Sequence, residues 1–334
     1  MTEIKIIGKT LNNIPWQDKP KDCFRPVWRY DQNPIVCRYP AENVERIFNS
    51  AVVEINGKFS GLFRAEEYNG LPLLRLGRSD DGIHFRFDTN ALEIKNADGT
   101  ICKKHSHYQY DPRLIGIDGV YYAIWCEAFE GDFPALGMAK SDDLIDFYRM
   151  PAPLLPCNRN GVLFPRKVNG EYLLLSRPSD NGHTPFGHIF LSRSKDLEYW
   201  GHHTTLIKGC GATGWWNAVK VGAGPAPIET SEGWLLFYHG VNGNCNGLVY
   251  SMGVCLLDRD DPSKIIYNCN GPILLPETTY ETTGFTPNIV FPCAALCDAE
   301  TGRIAIYYGA ADTVLCLAFT TAEEIFGYLK EHHE

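Results

Sequence analysis

The sequence predicts an all-β protein, a five-bladed β-propeller with an N-terminal arm and a C-terminal helix. One paired-hairpin pattern occurs five times along the 334 residues, at intervals of about 60 positions. No helical pattern separates the copies, which favours antiparallel sheet over alternating strands and helices. Each copy contains about four short strands, the number in one propeller blade. A two-sheet sandwich is the alternative, but it does not explain five copies of one unit.

The chain begins with an arm, residues 1–46, that is rich in proline and tryptophan. We expect this arm to wrap around the propeller surface or an adjacent subunit. After it, each repeat opens with a short apolar strand, a turn that contains glycine, and a second strand rich in β-branched or aromatic residues. The five turn glycines are Gly57, Gly119, Gly170, Gly233 and Gly302.

A further strand follows each hairpin, as in LRLGRSDDGIHF and LGMAKSDDLIDF, and four of the five copies have an acidic residue in the next turn. The last 15 residues, 320–334, predict the C-terminal helix. Thr320 or Thr321 can cap it, with Glu323 or Glu324 three residues later. Its apolar stripe, Ile325, Phe326 and Leu329, predicts packing against the side of the propeller or another subunit.

Composition limits the classes of function. The chain is 44% hydrophobic and 21% charged, which is ordinary for a globular protein, and we predict one catalytic domain over residues 1–334. The formal net charge of -9 argues against nucleic acid as a partner, because phosphate backbones require a basic face. No apolar run is long enough to span a membrane.

The twelve cysteines also carry information about the compartment. They are scattered without a C-x-x-C pair, so a zinc site is not expected. No signal-peptide pattern opens the chain. We therefore expect reduced, mostly buried thiols and a cytoplasmic location.

Propeller geometry predicts where a site would form. The innermost strands surround a central channel, so residues near equivalent ends of the hairpins converge on one axial pocket although they lie far apart in sequence. Five ionisable residues occupy such positions: Arg64, Asp111, Arg177, His239 and Asp312. Because a structural protein gains little from collecting five such groups, this set predicts a functional site.

Asp111 is followed at once by Pro112 and Arg113. The residue before proline is restricted, and we expect an extended backbone that presets the direction of its side chain. A positioned proton donor or acceptor is one interpretation of Asp111. A turn aspartate that bonds its own backbone is the other. The apparent repeat equivalence with Arg64 and Asp312 favours the functional interpretation.

A cationic set follows in the third and fourth hairpins: Arg159, Arg177, Lys220 and His239. Each alone would suit a surface charge or a side chain that supports the sheet. Together they lie at matching ends of neighbouring hairpins, and clustered cations require a compensating anion. Arginines that bind in a bidentate manner suit phosphate. KVGAGPAP lacks the phosphate-loop pattern, so we interpret it as a strand entry that positions Lys220.

These segments together resemble glycoside hydrolase family 130, the mannoside phosphorylases. The resemblance extends from Arg46 to Asp312, and its specific parts are FNSAVV, LFRAE, DPR, LFPRKVNGEY, WNAVKVGAGPAPI and YYGAAD. It implies a five-bladed propeller with Asp111 as the sole catalytic acid. It further implies phosphate binding by Arg159, Arg177, Lys220 and His239. Residues that hold or border the mannosyl unit would be Asn49, Ser50, Arg64 and Asp312.

An inverting hydrolase needs an acid and also a base that activates water. Phosphate is already an anionic nucleophile, so one acid and a basic cluster suffice. The resemblance implies inverting phosphorolysis of β-mannosides, foremost β-1,4-mannooligosaccharides, to α-D-mannose 1-phosphate and a shortened acceptor. The proton would pass through the mannosyl 3-hydroxyl. Phosphate would be a co-substrate, with no metal and no organic cofactor.

Three alternatives stay open at this point. One is an exo-acting β-mannosidase that uses water, and another is a phosphorylase of mannosylglucose or mannosyl-N-acetylglucosamine. The third is a carbohydrate-binding propeller without catalysis. The sequence also leaves open the acceptor, the linkage, the roles of the cysteines and the oligomeric state, although the arm and the C-terminal helix are candidate contacts in a homo-oligomer.

Overall fold

Five sheets with almost entirely antiparallel pairing follow one another along the chain, which confirms the predicted five-bladed β-propeller. In this computed structural model the structure describes residues 4–102, 108–129, 133–179, 187–212, 214–245 and 247–333. Each predicted hairpin forms the first two main strands of a blade. The five turn glycines have positive φ, for example 76° at Gly57 and 84° at Gly119. Glycine adopts this left-handed conformation without steric cost, which explains its use in these tight turns.

The arm contributes the first strand, β1 (Trp28–Arg29). Blade 1 follows with β2 (Val44–Ile55), β3 (Lys58–Glu67), β4 (Pro72–Ser79) and β5 (Arg86–Phe87). Blade 2 consists of β6 (Ile94–Lys95), β7 (Gln109–Ile117), β8 (Val120–Phe129), β9 (Phe133–Ser141) and β10 (Phe147–Met150). Blade 3 consists of β11 (Asn158–Leu163), β12 (Tyr172–Pro178), β13 (Ile189–Ser194) and β14 (Gly201–Ile207).

Blade 4 has two short inner strands, β15 (Lys220–Ala223) and β16 (Ile228–Thr230), which both pair with β17 (Gly233–Asn244). It continues with β18 (Gly247–Leu257) and β19 (Ile265–Asn268). A short helix, α1 (Thr279–Thr282), leads to blade 5. That blade contains β20 (Val290–Cys297), β21 (Arg303–Ala310) and β22 (Val314–Thr321), and the helix α2 (Ala322–Glu331) follows it.

The arm closes the ring of blades. Strand β1 pairs antiparallel with β22, placing Trp28 opposite Phe319, so the outer strand of blade 5 comes from the beginning of the chain. Further toward the N-terminus, Ile6 forms a bridge with Thr230 of blade 4. Because this pairing joins the beginning of the chain to its last blade, blade 5 cannot separate from the propeller unless the pairing of β1 with β22 breaks.

The predicted C-terminal helix is present as α2. The side chain of Thr321 accepts a hydrogen bond from the backbone of Glu324, which is one of the two capping pairs that the sequence offered. Ile325, Phe326 and Leu329 are buried, and the helix packs against the outer strands of blades 4 and 5. The helix therefore begins two residues later than predicted, because Thr320 and Thr321 belong to β22.

The cysteines are all unpaired, and fewer are buried than we predicted. Cys23, Cys157 and Cys297 are partly exposed, and Cys37, Cys210 and Cys245 are exposed; the other six are buried. Among the described residues, no group of three or more His, Cys, Asp or Glu side chains could hold a metal ion. None of the helices in the described ranges is long and apolar enough to cross a membrane.

Candidate active site at one end of the propeller channel

The innermost strands of blades 1, 2 and 3 each contain a β-bulge at the same depth. The pairing register shifts between Phe48 and Ala51, between Tyr110 and Arg113, and between Arg159 and Val162. Each bulge contains a residue with positive φ: Asn49 at 41°, Asp111 at 50° and Asn160 at 52°. A bulge inserts one extra residue and redirects its side chain, here toward the channel.

The bulges correct two of our expectations about Asp111. Its backbone is left-handed and not extended, because the extra residue of the bulge has to be accommodated there. Its repeat equivalents are Asn49 and Asn160, whereas Arg64, Arg177 and His239 lie on the second strands of their blades. Asp312 lies in the turn after β21. The predicted convergence on one pocket nevertheless holds for most of these residues.

A cavity of ≈ 710 Å³ lies at this end of the channel. Seven of the nine predicted site residues line it: Asn49, Arg64, Asp111, Arg159, Arg177, Lys220 and Asp312. Two predicted residues do not. The hydroxyl of Ser50 is buried and donates to the carbonyl oxygen of Phe48 at 2.9 Å, which stabilises the bulge of blade 1. His239 is fully buried and contacts Arg177 and Phe291, which line the cavity, without lining it itself.

Asp111 is held by donors from the neighbouring blade. Its Oδ1 accepts a hydrogen bond from Asn49 Nδ2 at 2.9 Å and from Arg64 Nη1 at 2.8 Å. Arg64 also donates through Nη2 to Glu66 at 2.5 Å, and Glu66 in turn forms an ion pair with Arg46. Charges of opposite sign therefore alternate from Asp111 to Arg46 inside the protein.

Burial by itself would lower the pKa of Arg64, but the carboxylates of Asp111 and Glu66 beside it raise the pKa overall. This guanidinium therefore stays charged. Burial raises the pKa of Asp312, and the negative charge of Asp111 adds to this shift, although Arg64 and a hydrogen bond from Thr286 oppose it. Arg64 is thus the cation that allows two carboxyl groups to share this side of the cavity.

Cations occupy the side of the cavity formed by blades 3 and 4. Arg159 and Arg177 lie directly opposite each other on β11 and β12. Like charges in that arrangement repel. Burial lowers the pKa of Lys220 to about 8, and the charges of Arg177 and Arg159 contribute to the decrease. Burial and the charge of Arg159 also lower the pKa of Arg177. Such a cluster favours an anion that neutralises it.

His239 acts on this cluster as a neutral ring. Burial lowers its pKa well below the usual value, and the charges of Arg177, Arg113 and Lys220 lower it further. A neutral imidazole can accept a hydrogen bond, and Nε2 lies 2.9 Å from Nη1 of Arg177. Gly222 makes room for this contact, because a Cβ there would lie 2.4 Å from the His239 ring. His239 therefore orients Arg177 and does not add a positive charge.

Sequence reasoning missed Asn160, Tyr250 and Phe291, which also form the cavity wall. Asn160 lines the cavity, and its buried Oδ1 has no hydrogen-bond partner among the described residues. Tyr110, Tyr250 and Phe291 add aromatic surface. An alignment of the three bulge segments, FNS, YDP and RNG, would have identified Asn160, because each has a polar side chain at the extra residue.

The chain is similar in sequence to known mannoside phosphorylases. A model of the family described as beta-1,4-mannooligosaccharide phosphorylase, glycoside hydrolase family 130, matches residues 8–331. The chain is 48% identical over 331 residues to the beta-1,4-mannooligosaccharide phosphorylase of Ruminococcus albus, with 98% of each chain covered. It is 32% identical over 306 residues to the 1,2-beta-oligomannan phosphorylase of a Thermoanaerobacter species, covering 89% of this chain and 98% of the relative.

Among solved structures, the fold is similar to that of the beta-1,2-mannobiose phosphorylase from Listeria innocua in complex with beta-1,2-mannobiose. The TM-score is 0.80 at 26% sequence identity, and the match covers 92% of this chain and 99% of that chain. This similarity extends over the blades that form the cavity, so the resemblance that the motifs indicated holds for sequence and fold alike.

Proposed function

The chain belongs to glycoside hydrolase family 130, and we propose that it cleaves β-1,4-mannooligosaccharides with inorganic phosphate. The products are α-D-mannose 1-phosphate and an acceptor shortened by one mannosyl unit. One observation supports this activity above all others. Asp111, bonded to Asn49 and Arg64, shares a cavity with Arg159, Arg177 and Lys220, which lie on blades 3 and 4.

Phosphate is the anion that such a cluster suits best. It carries its own negative charge, so the protein need not supply a base to create the nucleophile. Arg177, oriented by His239, and Arg159 can donate in a bidentate manner to the phosphate oxygens. Lys220 supplies a third charge. The binding energy is used to position the nucleophile next to the anomeric carbon.

The mannosyl unit occupies the side of the cavity formed by blades 5, 1 and 2. Asn49, Arg64 and Asp312 offer donors and an acceptor there that suit vicinal hydroxyl groups. Inversion requires the nucleophile and the leaving oxygen to lie on opposite faces of the anomeric carbon. Cations on blades 3 and 4 therefore fix the face from which phosphate attacks.

Asp111 supplies the proton for the leaving oxygen. Because Asn49 and Arg64 both bond its Oδ1, the carboxyl group is held in one orientation beside the sugar. Transfer of this proton to the leaving oxygen through the mannosyl 3-hydroxyl suits the position of Asp111, since Asp111 then contacts the same sugar that Asn49 and Arg64 hold. Ser50 contributes indirectly, by stabilising the bulge that carries Asn49.

We also infer a cytoplasmic location. Its support is the set of twelve unpaired cysteines, since thiols are kept reduced in that compartment.

Synthesis in reverse tests the activity and the linkage together. The protein is incubated with α-D-mannose 1-phosphate and a panel of acceptors, and the release of phosphate is followed. We expect release with β-1,4-mannooligosaccharides and a product that a β-1,4-mannanase degrades. Release only with acceptors that yield β-1,2-linked products would contradict the proposed linkage. No release with any acceptor would contradict phosphorylase activity.

A further inference from the structure

Arg113, two residues after Asp111, has an unusual environment for a charged side chain. It is 4% exposed. Its Nε donates to the carbonyl oxygen of Gly224 at 2.6 Å and its Nη2 to that of Ala223 at 3.3 Å. Its Nη1 lies 3.2 Å from the carbonyl oxygens of both Asp111 and Pro112. Within the described residues, Arg113 bonds only backbone carbonyl oxygens.

These contacts extend across the propeller channel. Asp111 and Pro112 belong to the inner strand of blade 2, whereas Ala223 and Gly224 lie on the inner edge of blade 4. Blade 3 lies between these two blades in the ring. The guanidinium also packs over the ring of Phe291 in blade 5, at 5.5 Å from the centroid. One side chain thus connects three blades at the channel axis.

Arg113 separates two cavities. Asp111 lines the candidate active site, whereas Arg113 lines a second cavity of ≈ 490 Å³ that is formed mainly by apolar residues of the inner strands. Position 224 has no room for a side chain, because a Cβ there would lie 2.7 Å from the carbonyl oxygen of Phe237 in the same blade and 3.0 Å from Pro292 of blade 5. The guanidinium therefore forms part of the floor beneath Asp111.

The bulge of blade 2 needs such support. A non-glycine residue with positive φ is strained, and a residue that precedes proline has few alternative conformations. Strained conformations persist at functional sites only where the surrounding structure fixes them. Asn49 and Arg64 fix the side chain of Asp111, and Arg113 fixes the backbone carbonyl groups of Asp111 and Pro112.

We propose that Arg113 is a positioning residue for Asp111. Its guanidinium lies at the channel axis and holds the bulge of blade 2 against blade 4. This inference rests on the proposed function of Asp111 as the proton donor. A second consequence follows from the same contacts. Because carbonyl groups and not a carboxylate satisfy the guanidinium, its positive charge is retained at the floor of the cavity and favours bound phosphate.

Two substitutions separate these effects. Arg113→Lys retains the charge, but one ammonium group cannot reach carbonyl groups of both blades. We expect kcat to decrease about 100-fold, the effect of a small displacement of a reacting group, with little change in the Kd for phosphate. Arg113→Met removes the charge as well. We expect the same loss of kcat and, in addition, an increase of roughly tenfold in the Kd for phosphate, measured by calorimetry.

Arg75 provides the matched control. It is also buried, its Nη1 donates to the carbonyl oxygen of Thr89 at 2.6 Å, and it lines neither cavity. We expect Arg75→Lys and Arg75→Met to lower the unfolding temperature but to leave kcat and the Kd for phosphate within about twofold of wild type. All variants are assayed at one temperature, well below the lowest of their unfolding midpoints, so that every variant is folded during the assay.

The result that overturns the proposal is a kcat for Arg113→Lys and Arg113→Met that matches the kcat of the Arg75 variants. Should Arg113→Met not fold, Arg113→Lys alone decides the question. A wild-type protein without phosphate-dependent cleavage of any mannoside refutes the proposed function instead, so the two failures are distinct. If kcat decreases as expected while the Kd for phosphate stays unchanged in Arg113→Met, the contribution of the Arg113 charge to phosphate binding is refuted. The positioning role of Arg113 is then still supported.

Discussion

Arg64 donates from Nη1 to Oδ1 of Asp111 at 2.8 Å, and this contact joins β3 of blade 1 to β7 of blade 2. The same guanidinium donates to Glu66, so it lies between two carboxylates. A largely buried ion pair is sensitive to the loss of either partner, because the remaining charge is left without compensation. The contact therefore fixes both the position of Asp111 and the relative position of two blades.

Asp111→Asn should reduce the rate of phosphorolysis by more than about 1,000-fold, because the variant has no acidic proton to donate. The fold should be retained, since asparagine tolerates positive φ and its side-chain oxygen can still accept from Asn49 and Arg64. Rates and thermal unfolding check both statements. Asp118→Asn, an exposed turn position of the same hairpin with positive φ, is the control and should remain fully active. A variant at Asp111 that keeps more than a few per cent of activity refutes the assignment.

Arg177→Ala should raise the KM for phosphate by roughly 10- to 100-fold, the effect of losing charge-assisted hydrogen bonds. The KM for the mannoside should change much less, because Arg177 lies on the cationic side of the cavity. Varying one substrate at a time separates the two constants. Arg193→Ala serves as the control on the next strand, where Arg193 pairs with Glu171 and Asp261. An unaltered phosphate response in Arg177→Ala removes this residue from the site.

Phosphate affinity should decrease as the pH rises above about 8. Burial, Arg177 and Arg159 lower the pKa of Lys220 to about 8, so its ammonium group is charged below that pH and loses its proton above it. Only the charged form attracts phosphate. Calorimetric Kd values at pH about 7.5, 8.5 and 9.5 should show the decrease in wild type. Lys220→Arg should lack it, because arginine stays charged. Parallel profiles for the two proteins would contradict this account.

Ser50→Ala should affect stability more than catalysis. The buried hydroxyl of Ser50 donates to the carbonyl oxygen of Phe48, and the substitution removes this hydrogen bond from the bulge. We expect the free energy of unfolding to decrease by about 1 to 2 kcal/mol, measured by denaturant titration. The KM for the mannoside should stay within about twofold of wild type. A large increase in that KM with unchanged stability would indicate direct contact between Ser50 and the sugar.

Blade number and hairpin positions could be predicted because they depend on short-range patterns. Alternating strands and turn glycines such as Gly57 and Gly119 repeat in each blade, and local steric rules alone determine where those turns occur. The same is true of the cap at Thr321. The family motifs then identified most of the residues that line the cavity.

The bulges could not be predicted in the same way. An extra residue in β7 leaves the apolar pattern on each side intact, so that pattern does not show that Asp111 lies in a bulge. The position of His239 depends on the packing of blade 4 around Gly222, which is a tertiary property. For the same reason the floor formed by Arg113 became visible only when blades 2 and 4 were seen together.

The central claim is that phosphate, held opposite Asp111, attacks the mannosyl unit. The most direct test is to incubate the protein with β-1,4-mannotriose in the presence and absence of phosphate and to follow the products by nuclear magnetic resonance. We expect α-D-mannose 1-phosphate as the first mannosyl product when phosphate is present, and almost no cleavage without it. Release of free mannose at an undiminished rate in the absence of phosphate would contradict the claim and identify water as the attacking group.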